Sequence, residues 1–491
     1  MAKVLMLQGT MSNVGKSLLT AALCRIFRQD GYKTAPFKSQ NMALNSYITK
    51  DGLEMGRAQA MQAEAAEIEP SVLMNPILLK PTSDVGSQVI LNGEVVGNMT
   101  AAEYFRKKKD LLPQIMSAFD TLSKNHDIIV IEGAGSPAEL NLKSDDIVNM
   151  GLAKLLNAPV LLVGDIDRGG VFAQLIGTVE LLEQDERALV KGLIVNKFRG
   201  DRAIFADGVD ILEQKSKKPV VGVVPFINCD IEDEDSLSYK LQNRSAKGVI
   251  DIAVIRLPRI SNFTDLDVFS QFEPVSVRYV SKPQELVTPD MIVNPGTKST
   301  ISDMKFLRES GLETAIKKHA SNGVPIFGIC GGYQMLGEVI SDPENAEGGG
   351  NIQTIRGMGL LRTSTVFSSE KTRLRTSGRF AKIQGTFGAL SGLPFEGYEI
   401  HMGSTESREM PLLKPDSGAF SDNVCGCYVH GIFDNDEVCS ALVKMLCERR
   451  GIEFNNTAIS RAEYKKHQFD ILAGAVRNSL DMELVYNILN K

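Results

Sequence analysis

Lys16 and Ser17 follow a glycine-bounded loop, and Cys330 lies between glycines at the end of an apolar run; residues of these types in these settings can do chemistry. Before the stretch Gln8-Gly9-Thr10-Met11-Ser12-Asn13-Val14-Gly15-Lys16-Ser17, Val4 to Leu7 reads as a buried strand. After it, Ser17-Leu18-Leu19 opens an apolar-periodic helix to about Arg28. Strand, loop and helix N-terminus make an anion cradle, because backbone N–H groups and the helix dipole converge on one place. Gly9, Thr10, Asn13, Val14 and Gly15 would line it, Lys16 would meet terminal phosphates, and the Ser17 hydroxyl would hold Mg²⁺. The leading glycine sits one residue earlier than in the usual GxxxxGK[ST], with Thr10 where that pattern has glycine. The alternative is a turn with a chance GKS, but the flanking strand and helix favour nucleotide binding.

In Val324-Pro325-Ile326-Phe327-Gly328-Ile329-Cys330-Gly331-Gly332-Tyr333 a buried strand enters Gly-x-Cys-x-Gly and then a helix. This is a nucleophile elbow with cysteine in place of serine, where flanking glycines permit the sharp bend that presents the side chain. The thiolate is the reactive form, and a thiol at a helix start favours it. The N–H of Gly331 is one expected oxyanion donor, and Gly296 in Asn294-Pro295-Gly296-Thr297 is the expected second. The alternative is a merely buried thiol. Among His126, His319, His401, His430 and His467, the base expected is His430, at the end of the strand Cys427-Tyr428-Val429 and before Gly431. His401, in Tyr398-Glu399-Ile400-His401, is the competitor.

Around the loop, alternating elements predict a parallel α/β sheet with its chemistry along one rim. Lys33 to Lys38 reads as a second strand, placing Lys38 and Gln40 at the same crevice as Lys16. Gly56 to Glu67 reads as a helix, and Pro76 to Leu91 as strand ends or a lid. Glu132, at the exit of His126 to Ile131, is placed to share Mg²⁺ with Ser17; the alternative is an N-cap acid. Val160 to Gly164 leads into Asp165-Ile166-Asp167-Arg168-Gly169-Gly170, and Gly192 to Val195 ends in Asn196-Lys197, a pair suited to reading a purine. Val220 to Val224 is one more strand. The charged stretches Glu232 to Ser236 and Lys240 to Ser245 mark a boundary near residue 245, and Ile250 to Leu257 starts the second domain. The predicted domains are 1–245, 246–440 and a helical extension 441–491, whose default role is packing or self-association.

A chain of 491 residues is too long for one core. Its 43% hydrophobic and 23% charged residues suit a soluble globular protein. The net charge of −6 points away from nucleic acid, and Lys107-Lys108-Lys109 reads as a solvated helix face. Seven cysteines without metal-type spacing suit a reducing compartment. The chain starts directly at a strand and its loop, and no apolar run is long enough for a bilayer. A cytoplasmic protein is expected, with no membrane partner.

With both sites in view, the second domain resembles the class I glutamine amidotransferases, in which a cysteine attacks the glutamine amide and ammonia is released. Most members carry Glu two residues after the histidine, and here that position is Ile432. The departure is shared with the cobyrinic and cobyric acid synthase branch and leaves open what orients His430; Glu399 is a stand-in. The first domain resembles dethiobiotin synthetase, with the same shifted glycine, implying ATP-dependent activation of a carboxylate as an acyl phosphate. Phe37 to Tyr47 (FKSQNMALNSY), Glu132 to Leu142 (EGAGSPAELNL) and Gly164 to Gly170 (GDIDRGG) resemble the cobyric acid synthase family more than its sister, the cobyrinic acid a,c-diamide synthases. The resemblance implies ATP and Mg²⁺ as cofactors and glutamine and a corrinoid as substrates. Four carboxylates of adenosylcobyrinic acid a,c-diamide would be amidated. Rival readings are an amidoligase on another polycarboxylate, such as cobyrinic acid or a cell-wall precursor, and a regulatory or partitioning P-loop ATPase.

Overall fold

The computed structural model describes residues 2–82, 86–231, 248–347, 353–454 and 459–490. The charged stretches at 232–236 and 240–245, and with them the boundary at 245, lie outside the described residues. The chain packs as two compact units. One comprises Met1–Met42, Glu54–Ile231 and Lys465–Lys491, and the other Ala43–Leu53 and Glu232–Tyr464. The units follow packing more closely than sequence order.

In the first unit, strand β1 (Lys3–Gly9) leads through the glycine loop into helix α1 (Lys16–Gln29). β2 (Thr34–Phe37), β3 (Ile128–Glu132), β4 (Val160–Asp165), β5 (Val190–Phe198) and β6 (Val220–Pro225) complete a parallel sheet in the order β6-β5-β4-β1-β3-β2. The central strands are apolar runs buried on both faces, as parallel strands covered by helices must be. Register pairs Leu7 with Glu132, Gly9 with Val163 and Asp165 with Asn196, so the polar strand ends gather on one rim. The described residues of Pro76 to Leu91 give two strands of a small second sheet, Gln40–Met42, Ile77–Pro81, Gly86–Leu91 and Glu94–Thr100, in that order.

The tail from Lys465 onward belongs to this unit. Phe469, Leu472, Ala473, Val476, Val485, Ile488 and Leu489 share one buried cluster with Leu23, Ile26 and Phe27 of α1. Each of these side chains larger than alanine contributes about 1.5–3 kcal/mol of burial, so the tail is part of the core that holds α1 in place. Within the stretch predicted as a helical extension, Arg461–Arg477 ends, and Met482–Leu489 starts afresh behind Asp481, whose side chain accepts from the Leu484 N–H.

The second unit has its own sheet. β7 (Ile250–Ile255), β8 (Val275–Val280), β9 (Met291–Asn294) and β10 (Ile326–Ile329) are parallel in the order β8-β7-β9-β10. They continue into Val424–Cys427 and an antiparallel edge, Ala419–Ser421. Within it the Arg278 guanidinium forks onto both oxygens of Asp251, at 2.8 and 2.7 Å. A second sheet is built around the long hairpin β11 (Thr363–Phe380) and β12 (Pro394–Ser407). Val429–His430 pairs against β12, opposite Tyr398 and Glu399. The two sheets meet in one apolar core containing Phe327, Phe387 and Phe433, which fixes the end of β10 relative to His430. No helix among the described residues is long and apolar enough to cross a membrane.

Candidate active sites

On the rim of the first unit, the loop between β1 and α1 turns through Asn13 (φ 60°) and Gly15 (φ 95°), both in the left-handed region. At Gly15 a Cβ would also fall 2.3 Å from Asn196 Nδ2, so glycine is required twice over. At Gly9 a Cβ would stand 2.8 Å from Lys16 Nζ, closing the cradle on the residue meant for phosphate. Lys16 Nζ donates to the carbonyls of Met11 and Gly135, both at 3.1 Å, which holds the ammonium across the loop mouth. The Thr10 N–H donates to Val163 O at 2.9 Å, tying the loop to the sheet.

Ser17, Lys38 and Glu132 come together as the sequence places them. Glu132 Oε1 accepts from Ser17 Oγ at 2.8 Å and Lys38 Nζ at 3.0 Å, and Oε2 accepts from Gln62 Nε2 at 2.6 Å. Burial favours the neutral acid, but Lys38, Gln62 and Ser17 outweigh it and hold Glu132 below the ordinary carboxylate range. An ionised carboxylate beside a hydroxyl is a hard-oxygen pair that suits Mg²⁺, an ion commonly held by one or two protein oxygens together with substrate phosphates. Gln62, on the helix Arg57–Ala65, was not singled out in the sequence.

Asn196 and Lys197 bond to the phosphate loop itself. Asn196 Nδ2 donates to Val14 O at 2.7 Å; Lys197 Nζ donates to Asn13 O and pairs with Asp165 at 2.9 Å. Both side chains hold the loop backbone. The reason is register: the end of β5 lies one strand beyond β4, directly under the loop.

In the second unit Cys330 has φ 51° and ψ −113°, a strained bend between β10 and the short helix Gly331–Leu336. Its thiol donates weakly to Ile400 O of β12 at 3.7 Å. His430, buried at 1% exposure, is close enough to feel the Cys330 sulfur electrostatically. The ring Nε2 makes no hydrogen bond among the described residues, while Nδ1 contacts Asp265 Oδ2 at 2.7 Å. Asp265 Oδ1 accepts from the Gly431 N–H at 3.0 Å, so the carboxylate grips both the ring and its backbone. Burial disfavours the imidazolium, but Asp265 and Cys330 outweigh it and raise His430 to about 10. A Cβ on Gly296 would lie 3.0 Å from His430 Cε1, and one on Gly331 2.7 Å from Thr297. The two loops expected to supply oxyanion donors therefore lie against the base and against each other.

Glu399, the stand-in for the missing Glu at 432, does not orient His430. Its Oε2 contacts His401 Nε2 at 3.2 Å, and His401 is fixed further by Gly403 O at 3.1 Å and by stacking on Tyr428. Successive residues of a strand face opposite ways, so Glu399 and His401 share one face of β12. Asp265, on the 3-10 helix Phe263–Gln271, supplies the acid instead. A cysteine, a protonated imidazole and a buried carboxylate in series can perform acyl transfer through a thioester.

Comparison with known proteins agrees with both halves. Residues 5–237 match the CobQ/CobB/MinD/ParA nucleotide binding domain, and residues 251–438 match the CobB/CobQ-like glutamine amidotransferase domain. The cobyric acid synthase of Lachnoclostridium phytofermentans is 58% identical over 100% of both chains. That of Ruminiclostridium cellulolyticum is 58% identical over 100% of this chain and 98% of its own. That of Citrobacter koseri is 49% identical over 100% and 99%.

Proposed function

This chain belongs to the cobyric acid synthase family, and from that premise we propose that it is a glutamine-hydrolysing carbon–nitrogen ligase. It consumes ATP and glutamine to amidate the b, d, e and g carboxylates of adenosylcobyrinic acid a,c-diamide, giving cobyric acid. The observation that carries this reading is the Cys330–His430–Asp265 series in a chain that also presents the Lys16, Ser17, Lys38 and Glu132 cluster.

With the Cys330 proton held on His430, the thiolate Sγ attacks the side-chain carbonyl carbon of glutamine, and the amide C–N bond breaks as a glutamyl thioester forms. His430 hands its proton to the departing nitrogen and then takes one from the water that hydrolyses the thioester, releasing glutamate. Asp265 holds Nδ1 and stabilises the imidazolium. The N–H groups of Gly331 and Gly296 stabilise the oxyanion.

In the first unit the loop from Gly9 to Gly15 and the start of α1 hold the nucleotide phosphates, with Lys16 on the terminal one. Ser17 and Glu132 would hold Mg²⁺, which when bound would supply charge neutralisation for phosphoryl transfer to the substrate carboxylate. Lys38 adds a positive charge at the same rim, 3.0 Å from Glu132. Asn196 and Lys197 contribute by fixing the loop. Ammonia then displaces phosphate from the activated carboxylate.

The test is to incubate the purified protein with ATP, Mg²⁺, glutamine and the corrinoid a,c-diamide, and to count added amides by mass spectrometry alongside glutamate and phosphate release. Four amides per corrinoid are expected. Glutamate release unaccompanied by any amidated corrinoid would overturn the reading, and, with cobyrinic acid supplied instead, amidation confined to two carboxylates would transfer it to the sister reaction.

A further inference from the structure

Residues 43–53 follow Lys38 in sequence but pack within the unit that carries Cys330. There the backbone of a single residue touches both supports of the base. The Ser46 N–H donates to Asn262 Oδ1 at 2.9 Å, and the Ser46 carbonyl accepts from Tyr398 Oη at 3.1 Å, both bonds buried. Asn262 stands at the start of the 3-10 helix that carries Asp265, whose N–H donates to the Asn262 carbonyl at 3.1 Å. Tyr398 is the residue of β12 paired opposite His430, and its ring stacks on the imidazole at 5.4 Å between centroids and 24° between planes. Ser46 therefore bridges the element holding the acid and the ring packed on the base.

The neighbours of Ser46 add to the grip. Tyr47 packs on Tyr398 at 6.3 Å, and the Arg375 guanidinium lies over Tyr47 at 4.8 Å. Arg375 Nε donates to Ile48 O at 3.0 Å, and Ile48 is buried with Tyr398 and Ile400, whose carbonyl accepts from the Cys330 thiol. Nothing in the thioester chemistry needs these residues, yet they are built around its base. At both ends, beyond Ala43 and beyond Leu53, the chain continues into the nucleotide-binding unit.

We infer that residues 43–53 are a positioning element for the glutaminase, setting Asp265 against His430, and that their tethering at both ends makes glutamine hydrolysis depend on the state of the nucleotide-binding unit. The inference rests on the activity proposed above. Its chemical logic is that ammonia released before a carboxylate is activated is lost to water.

Asn262 gives the cleanest test, because it sits at φ 50°. Asn262→Gly keeps that backbone and its carbonyl bond to Asp265 but removes the acceptor for Ser46, whereas Asn262→Asp retains an oxygen there. Glutamate release is measured with glutamine alone and with ATP, Mg²⁺ and the corrinoid a,c-diamide added, and ammonia-driven amidation is measured in parallel. We expect ATP and acceptor to raise the wild-type glutaminase kcat by about 10-fold, within the range of ordinary coupling between sites. Asn262→Gly should lose that stimulation with glutamine KM and ammonia-driven amidation unchanged, and Asn262→Asp should recover most of it. Unchanged stimulation in Asn262→Gly, or a wild-type glutaminase indifferent to ATP and acceptor, overturns the inference. If Asn262→Gly also loses ammonia-driven amidation, Arg375→Met decides, since it loosens the segment from its far side; normal stimulation there overturns the inference and reduced stimulation supports it. Absence of amidation from either nitrogen source in the wild type would instead defeat the proposed activity itself.

Discussion

Replacing Asp265 by asparagine removes one charge from the series Cys330–His430–Asp265 while nearly preserving shape. In the native protein His430 is raised from an ordinary 6.5 to about 10, against the effect of burial. At about 1.4 kcal/mol per tenfold change this is roughly 5 kcal/mol, so Asp265 and Cys330 together supply more than that net amount. Without the carboxylate, burial lowers the His430 value against Cys330 alone, and the ring tautomer is no longer fixed. Glutamine-driven amidation should fall about 10³-fold in kcat, with ammonia-driven amidation intact.

A second signature lies in stability. Because the folded state raises the His430 value, its contribution is fully present below about 6.5 and disappears as pH rises through about 10. The difference in melting temperature between wild type and Asp265→Asn should therefore be largest near pH 6 and shrink toward pH 10. Differential scanning calorimetry across that range, paired with glutamate release, is the assay. A variant with near-native glutaminase kcat, or a stability gap that widens with pH, would refute the assignment of Asp265.

Other perturbations separate the two halves. Cys330→Ala should abolish glutamine-driven synthesis and spare ammonia-driven synthesis, as read by amide counting; loss of both would remove Cys330 from its assigned role. Asn196→Ala breaks the 2.7 Å bond to Val14 O and should raise the ATP KM by about 3- to 10-fold, equivalent to a hydrogen bond of roughly 1 kcal/mol, with glutaminase activity unchanged. Arg278→Met leaves Asp251 buried without its forked partner and should destabilise the second unit by about 3 kcal/mol, measured by urea unfolding; a change below about 0.5 kcal/mol would count the pair as a surface-like ion pair.

The sequence by itself determined both reactive strings, since each is local. Gly9 to Ser17 and Gly328 to Gly332 contain strand, bend and helix start within a few consecutive residues, so residue type and spacing decide the backbone. Lys38 and Glu132 were also legible, because a parallel sheet gathers strand ends on one rim. Asp265 was not, because it is 165 positions from His430, on a 3-10 helix with no motif, and only packing joins them. Nor was it legible that Glu399 serves His401 and not His430, a pairing that strand alternation makes. The same limit applies to Ala43–Leu53 and to the tail from Lys465, each packed in the unit opposite to the one its sequence position suggests. Their apolar side chains announce that they will be buried, but which core receives them depends on where the remaining chain has left matching space, and that is known only once the chain has folded.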